Sequence, residues 1–438
     1  MSPALNGVLV LGALLVLMGM GMPIAFALGF VSIMALLLTQ GFGMLSILGE
    51  TFFSGLAHFG LVSIPMFILM GAAVASSPAG RDLYEALDRW LNRVPGGLVL
   101  SNLGACSIFA ALSGSSAATC AAIGKMGIPE MVKRGYPNDI AAGSIAAGGT
   151  LGILIPPSVT MIIYGIATET SIGRLFLAGL LPGLMLTGLF MAWTIVECRL
   201  RGYRFDELTS RFTMRERFAS LPRVLPFLLI IAAVLYVLYG GIATPSEAAG
   251  VGAVFCIISV VLIYRMWNPK PLAKVFNDSL KESVMIMMII AASELFAFTL
   301  SSLFITQSIA GWIAAMDIGR WVLMAIINVF LVVAGCFLPP VAVILMTAPI
   351  LLPIILQAGF DPYWFAVILT INMEIGLITP PVGLNLYVIN GIAPDITLGQ
   401  ILRGSMPYVL CMIVGIIILC FVPGIATWLP DVIMGPMT

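Results

Sequence analysis

Apolar residues fill this chain in long blocks, and most blocks match the roughly 20 residues that a helix needs to cross a bilayer. Within them the pattern shows neither one wet face nor the alternation of a barrel strand, so it predicts helices immersed in lipid. Candidate spans are 4–21, 24–39, 61–78 and 175–198, then 224–241, 245–264, 282–304 and 404–426. Four further stretches are interrupted at their centres. Residues 138–168 and 362–393 are apolar, but each holds a Pro-Pro pair preceded by a glycine: Gly152 before Pro156-Pro157, and Gly376 before Pro380-Pro381. Proline deletes a helical hydrogen bond and clashes with the preceding turn, so two in succession unwind a helix. Residues 98–124 are long enough for one span, yet Ser113-Gly114-Ser115-Ser116 sits where a span is most apolar. A turn there makes two half-depth helices meeting at a polar tip. Residues 320–356 carry Leu338-Pro339-Pro340 at their centre, exceed one span and contain no polar loop to separate two. Both stretches predict re-entrant hairpins.

A shift of 224 residues lays the two halves on one another without a gap. Pro129 then falls on Pro353, Gly135 on Gly359, Gly152 on Gly376, and Pro156-Pro157 on Pro380-Pro381. Residues that set backbone geometry keep register although overall identity is low. The halves are 1–198 and 224–438, joined by an Arg-rich connection at 199–223. Basic residues mark the cytoplasmic side. One topology puts Arg199, Arg201, Arg204, Arg211, Arg215, Arg217 and Arg223 inside, with only Arg174 and Arg320 of the twenty basic residues outside. It requires each hairpin to return to the side it entered from, leaves both termini outside, and makes the repeats inverted. The fold class expected is an all-α polytopic membrane protein of two inverted repeats. Each repeat has a hairpin and a broken helix, the arrangement that permits alternating access.

In 79–93 the apolar Leu83, Leu87, Trp90 and Leu91 share a face opposite the charges, which fits a helix lying in the membrane plane or a solvated loop helix. Residues 305–318 occupy the equivalent place in the second half. Composition agrees with immersion in lipid: 61% of residues are hydrophobic and 9% charged, against about 25% charged in soluble domains. The formal net charge of zero implies neither nucleic acid nor an acidic surface as partner. No basic segment precedes the first apolar run, so no cleavable signal is expected. The seven cysteines form no CxxC and have no histidine nearby, which reads as core packing rather than metal or disulfide chemistry. His58, among aromatic residues, reads as interfacial.

The chemistry expected of such breaks is ion binding. Half-helix N-termini attract carboxylates, while unwound carbonyls coordinate Na⁺. Ser113, Ser115, Ser116, Thr150 and Thr379 offer neutral hydroxyl oxygens beside them; the competing reading of Ser113–Ser116 is a small-residue packing face. Glu294 and Glu374 lie in apolar surroundings and either carry a proton or help a cation site. Glu247, after Thr244-Pro245, reads as a helix cap. No nucleophile with its base, no paired acids and no phosphate loop is found, so no enzyme and no cofactor are expected.

Six stretches carry a resemblance over nearly the whole chain: GMPIAFALG (21–29), ALSGSSAATCAAIG (111–124), GTLGILIPPSVTMIIYG (149–165), SIGRLFLAGLLPG (171–183), ATPSEAAGVGAV (243–254) and LITPPVGLNLYVING (377–391). In this order they resemble the large membrane subunit of a tripartite ATP-independent periplasmic (TRAP) transporter of the dicarboxylate type. That resemblance implies an elevator-type, Na⁺-driven importer in a bacterial inner membrane. Its implied partners are a four-helix small membrane subunit, a periplasmic substrate-binding protein, and an organic acid such as a C4-dicarboxylate, sugar acid or keto acid. It places one Na⁺ site at Ser113, Ser115, Gly152, Ile155 and Pro157, and a second at Phe337, Pro339, Gly376, Thr379 and Pro381. Substrate contacts are implied at Ser116, Thr119, Ser158, Thr160 and Asn385. The chain departs from many members in having Thr119 where they carry an acid, and Leu338-Pro339-Pro340 where their second tip is acidic. The alternatives are a proton-coupled organic-anion carrier without a binding protein, or a channel or membrane scaffold.

Overall fold

The computed structural model describes residues 3–91, 94, 96–201, 212–308, 311 and 318–436. Among them the chain is helical, with no strand. Among the described residues seven helices are long and apolar enough to cross a membrane. In order they run α1 (Pro3–Gly19), α2 (Ile24–Gln40), α3 (Leu45–Leu56), α4 (Ser63–Ala75), α5 (Ala79–Leu91), α6 (Gly97–Ser113), α7 (Ser116–Lys133), α8 (Asn138–Thr150), α9 (Val159–Ala167) and α10 (Ile172–Leu200). The second half holds α11 (Met214–Tyr239), α12 (Pro245–Tyr264), α13 (Pro269–Ser302), α14 (Arg320–Phe337), α15 (Pro340–Gln357), α16 (Pro362–Leu377), α17 (Leu384–Ile392), α18 (Leu398–Phe421) and α19 (Gly424–Met434). One succession therefore occurs twice: helix, tip, helix, then a helix broken at Pro-Pro (α6 to α9, and α14 to α17). Both Pro-Pro bonds are cis.

The broken helices lie at the centre. Every residue of α8 from Ile140 to Thr150 is buried, as is every residue of α16 from Tyr363 to Leu377. In α8 the cause is legible in the side chains, because alanine and glycine dominate and let neighbours approach closely. A Cβ added at Gly148 would meet Cys106 Sγ at 2.9 Å, and one at Gly143 would run into the backbone of Gly404 on α18. In α16 the start is fixed by Asp361, whose carboxylate accepts from the N–H groups of Tyr363 and Trp364 at 2.8 Å each. Around this inner group α1 to α4 and α11 to α13 form an outer one. There α13 packs on α2, α3 and α4, and α12 on α4. Exposed apolar side chains such as Val8, Leu15, Leu229, Val251, Phe255 and Leu262 face outward from it, as a lipid-facing surface requires.

Several sequence boundaries are corrected. The hairpin arms are not half-depth: α6 has 17 residues and α7 has 18, each rising about 26 Å. Helix α7 runs on through Pro129 to Lys133 because its polar end still makes helical bonds, so most of the expected 125–137 connection is helix. Helix α13 likewise begins at Pro269, capped by Asn268, well before the apolar run starts at 282. Helices α3 and α19 had no counterpart in the span assignment; they are too short to read as spans. Helix α3 and α4, with their 3-10 leads, bend by 58° at the break between them. Glu247 does cap α12, in a reciprocal box with Thr244. Arg93, Arg204, Arg211 and most of 305–318 lie outside the described residues.

Helix α5 is neither simply in the membrane plane nor simply solvated, for two of its acids are buried. Asp82 accepts from Tyr264 Oη at 2.8 Å and pairs with Arg223 at 3.6 Å, in the outer group. Asp88 pairs with Arg134 of α7 at 3.4 Å. Burial pushes the Asp88 carboxyl up, against the pull of that guanidinium. Helix α5 thus fastens the first hairpin to the outer helices.

The glycine seam gives a direct test. Gly143→Leu or Gly404→Leu overpacks the α8–α18 contact and should cost about 3 kcal/mol, whereas Gly399→Leu meets nothing within 4 Å and should leave the melting temperature of the detergent-solubilised protein within about 2 °C. Equal losses at Gly143 and Gly399 would show that the seam is not tight.

Candidate functional site

The first tip is built by one glycine and one serine. Gly114 closes α6 at φ +58°, a left-handed geometry open to glycine at little cost, and Ser115 caps α7. A side chain at Gly114 would also sit 2.9 Å from the Pro157 carbonyl oxygen, so the position needs glycine twice over. Across from it the first break runs from Leu151 to Ser158. A Cβ on Gly152 would stand 2.6 Å from the Ser115 carbonyl oxygen. Tip and break are therefore in backbone contact, which brings the oxygens of Ser113, Ser115 and Pro157 into one place. Ser113 Oγ shares a hydrogen bond with Thr119 Oγ1 at 2.9 Å, and Thr119 Oγ1 donates to the Ser115 carbonyl at 2.8 Å. These neutral, protein-held oxygens fit a cation such as Na⁺, which takes oxygen ligands without demanding charge. Ile155 has no side-chain oxygen; its side chain packs under Gly183 of α10.

The second tip is made differently. Leu338 is extended, and Pro339-Pro340 start α15 with no side-chain cap. Its contact with the second break is displaced toward the end of α14. A Cβ on Gly376 would run into the backbone of Gly335, and Val382 N–H donates to the Cys336 carbonyl at 3.1 Å. Gly335 and Cys336 make this contact, while Phe337 and Pro339, expected at the second site, are exposed. The small Gly335 was the available signal. Thr379 Oγ1 donates back to the Ile375 carbonyl at 2.6 Å, so its hydroxyl is engaged within its own helix. Donors for a cation are sparser here than at the first break. Burial differs too: residues 151–165 are buried throughout, whereas Pro380, Pro381 and Val382 are exposed.

The five residues expected at the substrate divide. Ser116 and Thr160 line a cavity of about 2100 Å³ that lies between the inner and outer groups and also touches Phe337 and Pro339. Thr119 is turned into the tip. Ser158 caps α9, accepting from Met161 N–H at 3.3 Å. Asn385, fully buried on α17, donates to Ser116 Oγ at 2.7 Å and to the Ala146 carbonyl at 3.2 Å. It ties the second broken helix to the first tip and the first broken helix. That bond across the halves had no signal in the sequence. Glu374 is buried with both carboxyl oxygens unpartnered among the described residues. Glu294, half-buried, covers Gly55 of α3.

Comparison with known proteins places this geometry. The sequence profile described as "Tripartite ATP-independent periplasmic transporter, DctM component" matches residues 11–425. The C4-dicarboxylate TRAP transporter large permease protein DctM of Pseudomonas aeruginosa is 40% identical over 374 residues, 85% of this chain and 87% of that protein. Its counterpart from Rhodobacter capsulatus is 33% identical over 443 residues, 98% of this chain and 100% of that one. Among solved structures, the YdaH transporter of Alcanivorax borkumensis is similar with a TM-score of 0.66, covering 91% of each chain. At 15% identity that likeness concerns the fold alone. With the profile spanning both tips and both breaks, the chain belongs to the DctM-component family of TRAP transporter large permeases, which are transporters and not enzymes.

Proposed function

We propose that this permease imports an organic acid, in the first instance a C4-dicarboxylate as named for its relatives, by Na⁺-coupled secondary transport across a bacterial inner membrane. A periplasmic binding protein delivers the substrate, and a small membrane subunit completes the transporter. The observation that carries this reading is the contact of the first tip with its break, which gathers neutral oxygens where backbone has left the helix. Two inverted halves, 1–198 and 224–438, with both termini periplasmic, would let the inner group move as an elevator against the outer one. The cavity between the two groups supports that division.

Coupling is tested in proteoliposomes holding both membrane subunits. With the binding protein present, an inward Na⁺ gradient should drive succinate uptake, and omitting either should reduce it about tenfold or more. Equal uptake driven by a proton gradient in Na⁺-free buffer would replace sodium coupling by proton coupling. Full uptake without a binding protein would remove the delivered-substrate reading. Uptake that never saturates with substrate would point to a channel.

The two breaks are separable by mutation. Ser115→Ala removes a hydroxyl from the oxygen-rich first site, so the Na⁺ concentration for half-maximal uptake should rise about tenfold. Thr379→Ala removes a hydroxyl already bonded to Ile375 and should shift it about threefold or less. An unchanged Na⁺ dependence in Ser115→Ala would assign that hydroxyl to packing.

A further inference from the structure

The cavity between the two groups is mostly apolar, and its charged lining is unevenly shared. Helix α13, on the outer wall, contributes Lys274, Asp278 and Glu282 at successive turns. From the hairpins and broken helices the only charged residue in the lining, among those described, is Lys125. Lys125 stands on α7 along the same face as Ala117 and Ala121, which also line the cavity and lead up to the tip at Ser115 and Ser116. Among the described residues it forms no hydrogen bond or ion pair, unlike Arg134 further along the same helix, which holds Glu130 at 2.8 Å. Lys125 is exposed, so its ammonium is open to an anion that enters the cavity.

We infer that Lys125 binds one carboxylate of a dianionic substrate in this cavity, and so makes the permease selective for dicarboxylates over monocarboxylates. This rests on the organic-acid reading above and names the residue that enforces its preference for two carboxylates. Nine residues separate Ser116 from Lys125, about 13 Å of helix. The lysine stem, leaning toward the helix start as helical side chains do, shortens that gap to the scale of a small dicarboxylate. One carboxylate then meets the ammonium while the other end of the molecule lies by the tip hydroxyls. Lysine serves here as a point charge on a flexible stem, suited to an anion that arrives and leaves.

The test compares succinate with monomethyl succinate, which keeps the length and loses one charge. Both are titrated against the full chain, purified with its small membrane partner, and ligand-induced thermal stabilisation is recorded. In the wild type succinate should half-saturate at a lower concentration than the ester. Lys125→Gln should raise the succinate value about tenfold, leave the ester within about twofold, and leave the ligand-free melting temperature unchanged. Lys125→Arg should restore most of the preference. Equal shifts for both ligands would overturn the assignment, as would Asp278→Asn or Glu282→Gln reproducing the Lys125→Gln effect, which would assign Lys125 to an ion pair with the outer wall. A wild type that is stabilised by monocarboxylates but not by succinate overturns this inference and leaves organic-acid transport standing. A wild type stabilised by no organic acid overturns both.

Discussion

Everything in this chain follows from one constraint: backbone that leaves a helix inside a membrane must be met by protein. The Pro-Pro pairs at 156–157 and 380–381 open two helices where lipid offers no hydrogen bonds. The chain answers by bringing a second stretch of backbone to each opening, the turn at Ser115 against Gly152 and the end of α14 at Gly335 against Gly376. Those contacts require glycine on at least one side, long hairpin arms to reach the level of the break, and an inner group dense enough to hold the arms in place. The oxygen cluster at the first break is a by-product of the same requirement, since a carbonyl that helps to satisfy its neighbours also faces the space shared by tip and break.

The two halves solve this problem unequally. The first break is sealed in protein and its tip is rich in hydroxyls, whereas the second is bordered by the exposed Pro380, Pro381 and Val382 and by a tip of leucine and proline. Asn385 crosses between them, bonded to Ser116 and to Ala146. The second broken helix is thereby joined directly to the first tip and the first broken helix. Helix α5 does the corresponding work at the edge of the inner group, with Asp82 held by the outer helices and Asp88 by α7.

Much of this was legible in the sequence because glycine and proline report backbone geometry directly. The order of helix, tip, helix and Pro-Pro break, the tip at Ser113–Ser116 and the cap at Glu247 are each present among the described residues. The reading failed where geometry is set by partners remote in sequence. Nothing local marks Asn385 as a tie between the halves, or Gly335 rather than Phe337 as the residue that meets Gly376. Hydropathy also hid the full length of α7 and α13, because helical hydrogen bonds continue into polar sequence after the apolar signal stops. Helices α3 and α19 were missed for the opposite reason, being too short to carry a span-length signal.

The seam between α8 and α18 has a further consequence, for how proteins of this build can change. Where Gly143 meets Gly404 there is no side chain on either helix, and none can be added without separating them. The central bundle is thus closed to variation at the positions that lie nearest its axis. New cargo preferences must be written on the surface that faces the cavity, where an exposed residue such as Lys125 can be exchanged without disturbing a neighbour's backbone. Such a transporter diversifies from its wall inward and keeps its centre fixed.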